Sequence, residues 1–336
     1  MPRSPANMRR VSARLLLPAA QLADLRRRVV WKSTALIAHA WIVILGSIAM
    51  VAVFPNPLTF VLAVMAIGSR QLGLAILMHD GAHGSLARGE RRNMALSQLL
   101  CAWPVFADTK TYRAYHLLHH AHTQQPDDPD LVLSAPFPIS RASYRRKFIR
   151  DITGQTGLQQ RTAQVRAALG DPSWPATRRL RHFWAKLGPQ MSVNAFLFAG
   201  FSVTGIWWAY PLLWLLPLLT WTMVITRIRN IAEHAVVPDS NDPFRNTRTT
   251  LANLVERAFI APCFVNYHLE HHLLFFVPCY NLPKMHAILM TGPYAERMEI
   301  RRGYLEVMRR ATSKANGHDK PGATQRAGGD RVSAGF

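Results

Sequence analysis

Eight of the chain's 14 histidines fall into three short clusters: HDGAH with His79 and His83, HLLHH with His116, His119 and His120, and HLEHH with His268, His271 and His272. The first cluster has spacing i, i+4 and the other two i, i+3, i+4. On a helix these spacings set imidazoles on one face, one turn apart, which suits chelation of a metal. A single cluster is as easily a set of hydrogen-bonded interfacial side chains, but three in one chain favour ligation. No cysteine falls inside the clusters, which argues against structural zinc and iron-sulfur sites. Neutral imidazole suits zinc, copper, iron and nickel, and eight or nine imidazoles exceed what one ion holds, so two ions are implied. Hydrolysis at zinc needs fewer ligands and a nearby general base. Two redox metals at the end of a hydrophobic bundle suit O2 activation against a C–H bond of a lipid.

The elements that must position these side chains are apolar. Ser33 to Phe54 carries no Asp, Glu, Lys or Arg over 22 positions, and Met191 to Thr226 none over 36. Those lengths suit one and two crossings of a bilayer. Pro57 to Met78 is interrupted only by Arg70, which a span accepts if the side chain snorkels or faces the protein interior. The expected fold is an all-α integral membrane protein with about four transmembrane helices. They form two hairpins, at about 33–78 and 191–226, under a cytoplasmic helical cap that carries the histidine clusters. LSQLLCAWPVF at 96–106 is too short to span and reads as a half-buried or membrane-surface helix. The Arg-rich stretch at 140–181 reads as a helical cytoplasmic insert.

A net charge of +21 would suggest nucleic acid in a soluble protein. Here the basic excess lies in 1–32, 79–190 and 227–336, while the connections FPNP and GIWWAYP are uncharged. By the positive-inside rule all three segments are cytoplasmic, so the charge is a topology signal and nucleic acid is excluded as a partner. Residues 1–32 are expected to form a basic amphipathic segment on the membrane surface, 33–311 the membrane domain, and 312–336 a disordered tail. Three cysteines without a CxxC pair argue against a disulfide framework.

In order, spacing and flanking spans, the three clusters resemble the histidine boxes of the membrane fatty acid desaturase and hydroxylase superfamily, non-haem di-iron enzymes, from about His79 to about Leu289. The resemblance implies two Fe, O2 as co-substrate, and no protein acid or base apart from the di-iron centre. In RNIAEHA it also implies that His234 is a ninth imidazole ligand and that Asn230 acts through a water. Asp80, Glu233 and Glu270 are expected to accept ring N–H groups of the ligands, with Asp127, Asp128 and Asp130 as further acids and His122 as a hydrogen-bond partner. The acids of PDDPD also read as a turn with N-capping side chains. His39, His182, His286 and His318 stand alone and are expected to be structural or solvent-exposed.

The activity implied is O2-dependent desaturation of a fatty acyl chain, as acyl lipid or thioester. A carotenoid ketolase or hydroxylase, or a lipid hydroxylase, is the alternative within the superfamily. A membrane metal transporter or a haem protein is the alternative from another class. Phe264, Phe275 and Phe276 read either as substrate wall or as membrane contact. No cytochrome b5 extension, Rossmann fingerprint or flavin motif is recognisable, so an electron donor of ferredoxin or cytochrome b5 type is expected. Arg145, Arg146, Lys147 and Arg150 are candidates to dock it, although such a run is more often a solvated face. The preference for Arg over Lys points weakly to a GC-rich bacterial genome and the inner membrane.

Overall fold

Residues 11–315 are described by a computed structural model of the chain. Two short helices, α1 (Ala13–Leu16) and α2 (Ala19–Leu25), lead into the first hairpin, α3 (Val30–Val53) and α4 (Pro57–Ala82). Asn56 starts α4: its side chain accepts from the Leu58 and Thr59 N–H groups, Thr59 answers with a capping box, and Pro57 occupies the first helical turn. At 24 residues, α3 is roughly 36 Å long, enough to cross a hydrocarbon core of about 30 Å. It turns Ile42, Leu45 and Val53 outward, whereas α4 is buried along its second half apart from half-buried His79. Arg70 faces the protein interior, as one of the two expected ways to tolerate it: its guanidinium donates to the Ala258 carbonyl at 2.5 Å and to Ser69 Oγ at 3.0 Å.

The segment after α4 contains α5 (Glu90–Ser97), a π-helical turn at Gln98–Ala102, a 3-10 turn at Trp103–Val105, and α6 (Thr109–His122). Leu99 and Leu100 are exposed on the turn while Cys101 and Ala102 are buried, the half-buried character expected of this stretch. After α7 (Leu131–Ser134) come α8 (Arg141–Ile152) and α9 (Gln155–Leu169), which form the expected helical insert.

The second hairpin differs from its expected form. Its first arm is the end of α10 (Ala176–Val203), whose first half carries Arg178, Arg179, Arg181 and Lys186. Charge delays the apolar part to the second half of the helix. The return arm runs from Tyr210 through a π-helical turn, α11 (Leu216–Leu219) and α12 (Trp221–His234), with Pro211 and Pro217 breaking regular bonding. Three stretches of the described residues are therefore long and apolar enough to cross a membrane: Ala19–Val53, Pro57–Ala82 and Tyr210–His234. Asn194 joins the two arms by donating to the Trp103 and Gln190 carbonyls and accepting from Tyr210 Oη and Trp214 Nε1.

The C-terminal part brings α13 (Leu254–Phe259), α14 (His268–Leu273), α15 (Leu282–Met290) and α16 (Tyr304–Ala311). One small parallel sheet, β1 (Thr249–Leu251) against β2 (Ile300–Arg302), departs from the all-α expectation. The described part of the N-terminal segment packs one face on protein. Leu16, Leu17, Leu22 and Leu25 are buried, Asn281 donates to the Leu25 carbonyl, and Arg26 lies 4.3 Å above the Phe276 ring. Residues 1–10, and 316–336 of the expected tail, lie outside the described residues; of the rest of that tail, Lys314 donates its N–H to the Ile139 carbonyl.

Candidate metal centre

Four helices deliver nine imidazoles to one place. His79 sits in the last turn of α4 and His83 is its C-cap. His116, His119 and His120 lie toward the end of α6, whose start is fixed by Asp108 accepting from the Thr111 N–H at 2.8 Å. His234 ends α12, and α14 is little more than HLEHH itself. The carboxyl ends of α4, α6 and α12 therefore converge, and their partial negative charge favours a cation between them.

The imidazoles form two groups: His79, His83, His116, His120 and His271, and His119, His234, His268 and His272. Within each group the ligand-capable atoms lie within 4.8 Å of one another. Nε2 atoms face Nε2 atoms at 2.9 Å for His116 and His120, 3.0 Å for His120 and His271, and 2.8 Å for His234 and His268. His79 Nδ1, both ring nitrogens of His83, His234 Nδ1 and His272 Nε2 are buried without a hydrogen-bond partner. Such atoms cost about 1–3 kcal/mol each if left so, and rarely cluster without a ligand. Facing imidazoles with unmatched nitrogens are what a pair of divalent cations would satisfy.

Burial pushes the pKa values of His83, His116, His120, His268, His271 and His272 well below the ordinary histidine value, and neighbouring histidines add to the effect. Neutral imidazole is the form that ligates a metal. His119 goes the other way: burial lowers its pKa, but the Asp128 carboxylate, 2.8 Å from Nδ1, outweighs it and the net shift is upward.

Around the imidazoles stands a set of orienting groups. Asp128 is held by the backbone N–H groups of Gln124 and Asp130, and Tyr115 Oη donates to Asp130 at 2.5 Å. PDDPD thus acts both as a turn and as the acid behind His119. Tyr112 Oη lies 3.2 Å from His116 Nδ1, and Thr123 Oγ1 lies 3.3 Å from His272 Nδ1. Glu233 is 3.6 Å from His268 Nδ1 and accepts from Arg229 Nε at 2.8 Å. Asp80 is 3.7 Å from His79 Nδ1 and accepts the Cys279 N–H, tying the first box to the segment after the third.

One expectation needs correction. Among the described residues Glu270 bonds no imidazole of either group: it accepts from Thr249 Oγ1 and pairs with His286 Nδ1 at 2.6 Å. Its position between ligand residues points it to the opposite face of α14, toward β1 and α15. The expected lone His286 is its partner. His122 is half-buried at the last turn of α6, where i+2 from His120 turns it away from the shared face. Asn230 lies one turn before His234 on α12. His39 is exposed and His182 Nδ1 bonds the Ala168 carbonyl, as solitary histidines were expected to do; His318 lies outside the described residues.

Sequence reasoning missed Arg248. It is 1% exposed in its side chain, pairs with Glu299, and donates to the carbonyl of Ala232 in the last turn that carries His234 and to those of Ala235 and Val236 just beyond it. Val236 has φ +53°, a strained conformation for a β-branched residue, and the guanidinium holds its carbonyl there. An arginine in a segment rich in arginine gave no signal of this role. Arg229 had one: it stands four residues before Glu233 on a helix otherwise free of carboxylates.

Comparison with known proteins agrees with this geometry. The profile described as fatty acid desaturase matches residues 55–304. A dihydrorhizobitoxine desaturase from Bradyrhizobium elkanii is 30% identical over 69% of this chain and 68% of its own length. Beta-carotene ketolases from two Paracoccus strains, PC1 and N81106 / MBIC 01143, are each 25% identical; the alignments cover 75% and 63% of this chain and 89% and 73% of theirs. With its boxes inside the matched region and their imidazoles gathered at one centre, the chain belongs to the fatty acid desaturase family of membrane oxidoreductases.

Proposed function

We propose that the two histidine groups hold two iron ions and that the protein desaturates an acyl chain with O2. The observation that carries this reading is the convergence of nine buried or half-buried imidazoles, five in one group and four in the other, at helix ends. Bound there, two iron ions supply the oxidising power that removes two hydrogens from adjacent methylenes. The chain's own residues keep most of the ligands neutral by burial and aim His119 through Asp128 and His116 through Tyr112. Asn230 bears on the four-histidine group through a water, and selectivity among near-equivalent methylenes is a matter of positioning.

The membrane placement has three spans and the apolar end of α10 as a fourth crossing, with the histidine groups on the cytoplasmic side of a bacterial inner membrane. Arg145, Arg146 and Arg150 are exposed on α8, and this face suits an acidic electron donor of ferredoxin or cytochrome b5 type. Similarity to two ketolases supports a second reading, oxygenation of a carotenoid. Lipid and carotenoid profiles of a host expressing the protein and supplied with β-carotene separate the two. New unsaturated acyl groups with unchanged carotenoids support desaturation; oxygenated carotenoids with unchanged acyl groups overturn it.

A further inference from the structure

Beside the histidine groups lies a cavity of about 280 Å³. His120 of the five-histidine group and His272 of the four-histidine group both line it, so it reaches both halves of the centre. Phe275 and Phe276 give it apolar walls, and Val11 and Ala13 of the N-terminal segment close one side. That segment is fastened over the cavity by Leu16 and Leu17, both buried, and by Tyr294 Oη donating to the Leu15 carbonyl.

One wall residue is polar and unspent. Asn246 is 4% exposed. Its backbone N–H goes to the Asp242 carbonyl, and its side chain borders the cavity, with no hydrogen bond from the carboxamide to another described residue. A buried carboxamide facing a cavity beside a reaction centre is an anchor for a hydrogen-bonding group on what enters.

We propose that this cavity seats a short acyl or alkyl group whose polar end, a hydroxyl, amide or carboxyl, bonds Asn246, and that the N-terminal segment sets the length accepted. The inference rests on reading the histidine groups as an oxidising metal centre and names the substrate class for it. A cavity of about 150 Å³ takes one benzene, so about 280 Å³ holds roughly eleven non-hydrogen atoms. A sixteen-carbon chain needs roughly 400 Å³ on the same scale. The hydrocarbon end of a carotenoid matches the size but leaves the Asn246 carboxamide buried and unpaired.

The test uses full-length protein purified in detergent, with iron content measured on every preparation and octan-1-ol, nonane, hexadecan-1-ol and β-carotene as probes of binding by thermal shift. Octan-1-ol should bind more tightly than the other three. Asn246→Leu should weaken octan-1-ol about five- to tenfold, to the level of nonane. Ala13→Trp, filling the N-terminal side, should abolish its binding while iron is retained; if that variant loses iron, Asn246→Leu decides. Hexadecan-1-ol or β-carotene binding as tightly as octan-1-ol, or an unchanged affinity in Asn246→Leu, overturns the proposal. Iron-loaded protein that ignores octan-1-ol sinks the substrate class and leaves the metal reading standing. Octan-1-ol binding to protein that never takes up iron does the reverse.

Discussion

At the scale of single residues, the centre is a balance between burial and charge. Replacing His271, which faces His120 at 3.0 Å, should remove activity in His271→Ala while membrane insertion is kept. Near-normal turnover in that variant would contradict the ligand assignment. Asp128 acts one step further out, so Asp128→Asn should keep the fold and lower metal affinity about 10- to 100-fold, measured by competition with a chelator. The pH dependence follows from the depressed pKa values of six imidazoles withdrawn from solvent. The unfolded chain binds their protons near pH 6.5 and the folded chain only at lower pH, so stability rises with pH across that window. Metal retention and melting temperature should therefore fall together as pH drops below about 6.5 and recover on return. His119, with its raised pKa, opposes the trend and does not reverse it. A melting temperature unchanged between pH 7.5 and 5.5 would contradict burial of the set.

Among the elements, close approaches decide whether the boxes meet. A Cβ on Gly81 would lie 2.2 Å from Ser97 Oγ, so only glycine lets α5 pack on the first box. Gly81→Ala should cost about 1–3 kcal/mol, read as a lower denaturation midpoint with reduced iron content. Arg248 clamps the end of α12, and Arg248→Met should loosen His234 and lower occupancy of the four-histidine group; full occupancy with an unchanged melting temperature would assign it no positioning role. Much of this level was legible in the sequence, in uneven measure. The histidine spacing announced which helix faces converge, because period 3.6 leaves little choice once three clusters share one function. RNIAEHA was legible only by resemblance, since one histidine in an amphipathic helix carries no local signal. Arg248, Tyr112 and Thr123 were not legible at all, because their role depends on elements distant in sequence. Glu270 misled for the same reason: its neighbours in sequence are ligands, but its face of α14 meets Thr249 and His286.

For the whole molecule, the basic excess was read as a membrane topology signal, and the second hairpin takes a different form from the one expected. A run of 36 residues without Asp, Glu, Lys or Arg invited two equal crossings. In the structure one arm begins inside a long helix with an arginine-rich first half, and charge-free length did not reveal that continuity. The leucines of the N-terminal segment meet protein, a contact that the reading of it as a membrane-surface segment did not include. The proposed orientation has a direct check. A cysteine at Arg145 or Arg302 should react with an impermeant maleimide only after the inner membrane is opened. One at Asn56, in the turn between α3 and α4, should react in intact spheroplasts, and the opposite pattern would invert the topology.

The central claim is that two groups of imidazoles hold two redox metal ions, and metal analysis of the purified full-length protein tests it most directly. The account predicts two iron ions per chain, one for each histidine group, with iron lost in parallel with activity in His271→Ala. Stoichiometric zinc or haem in active protein, or iron content untouched by His271→Ala, would contradict it.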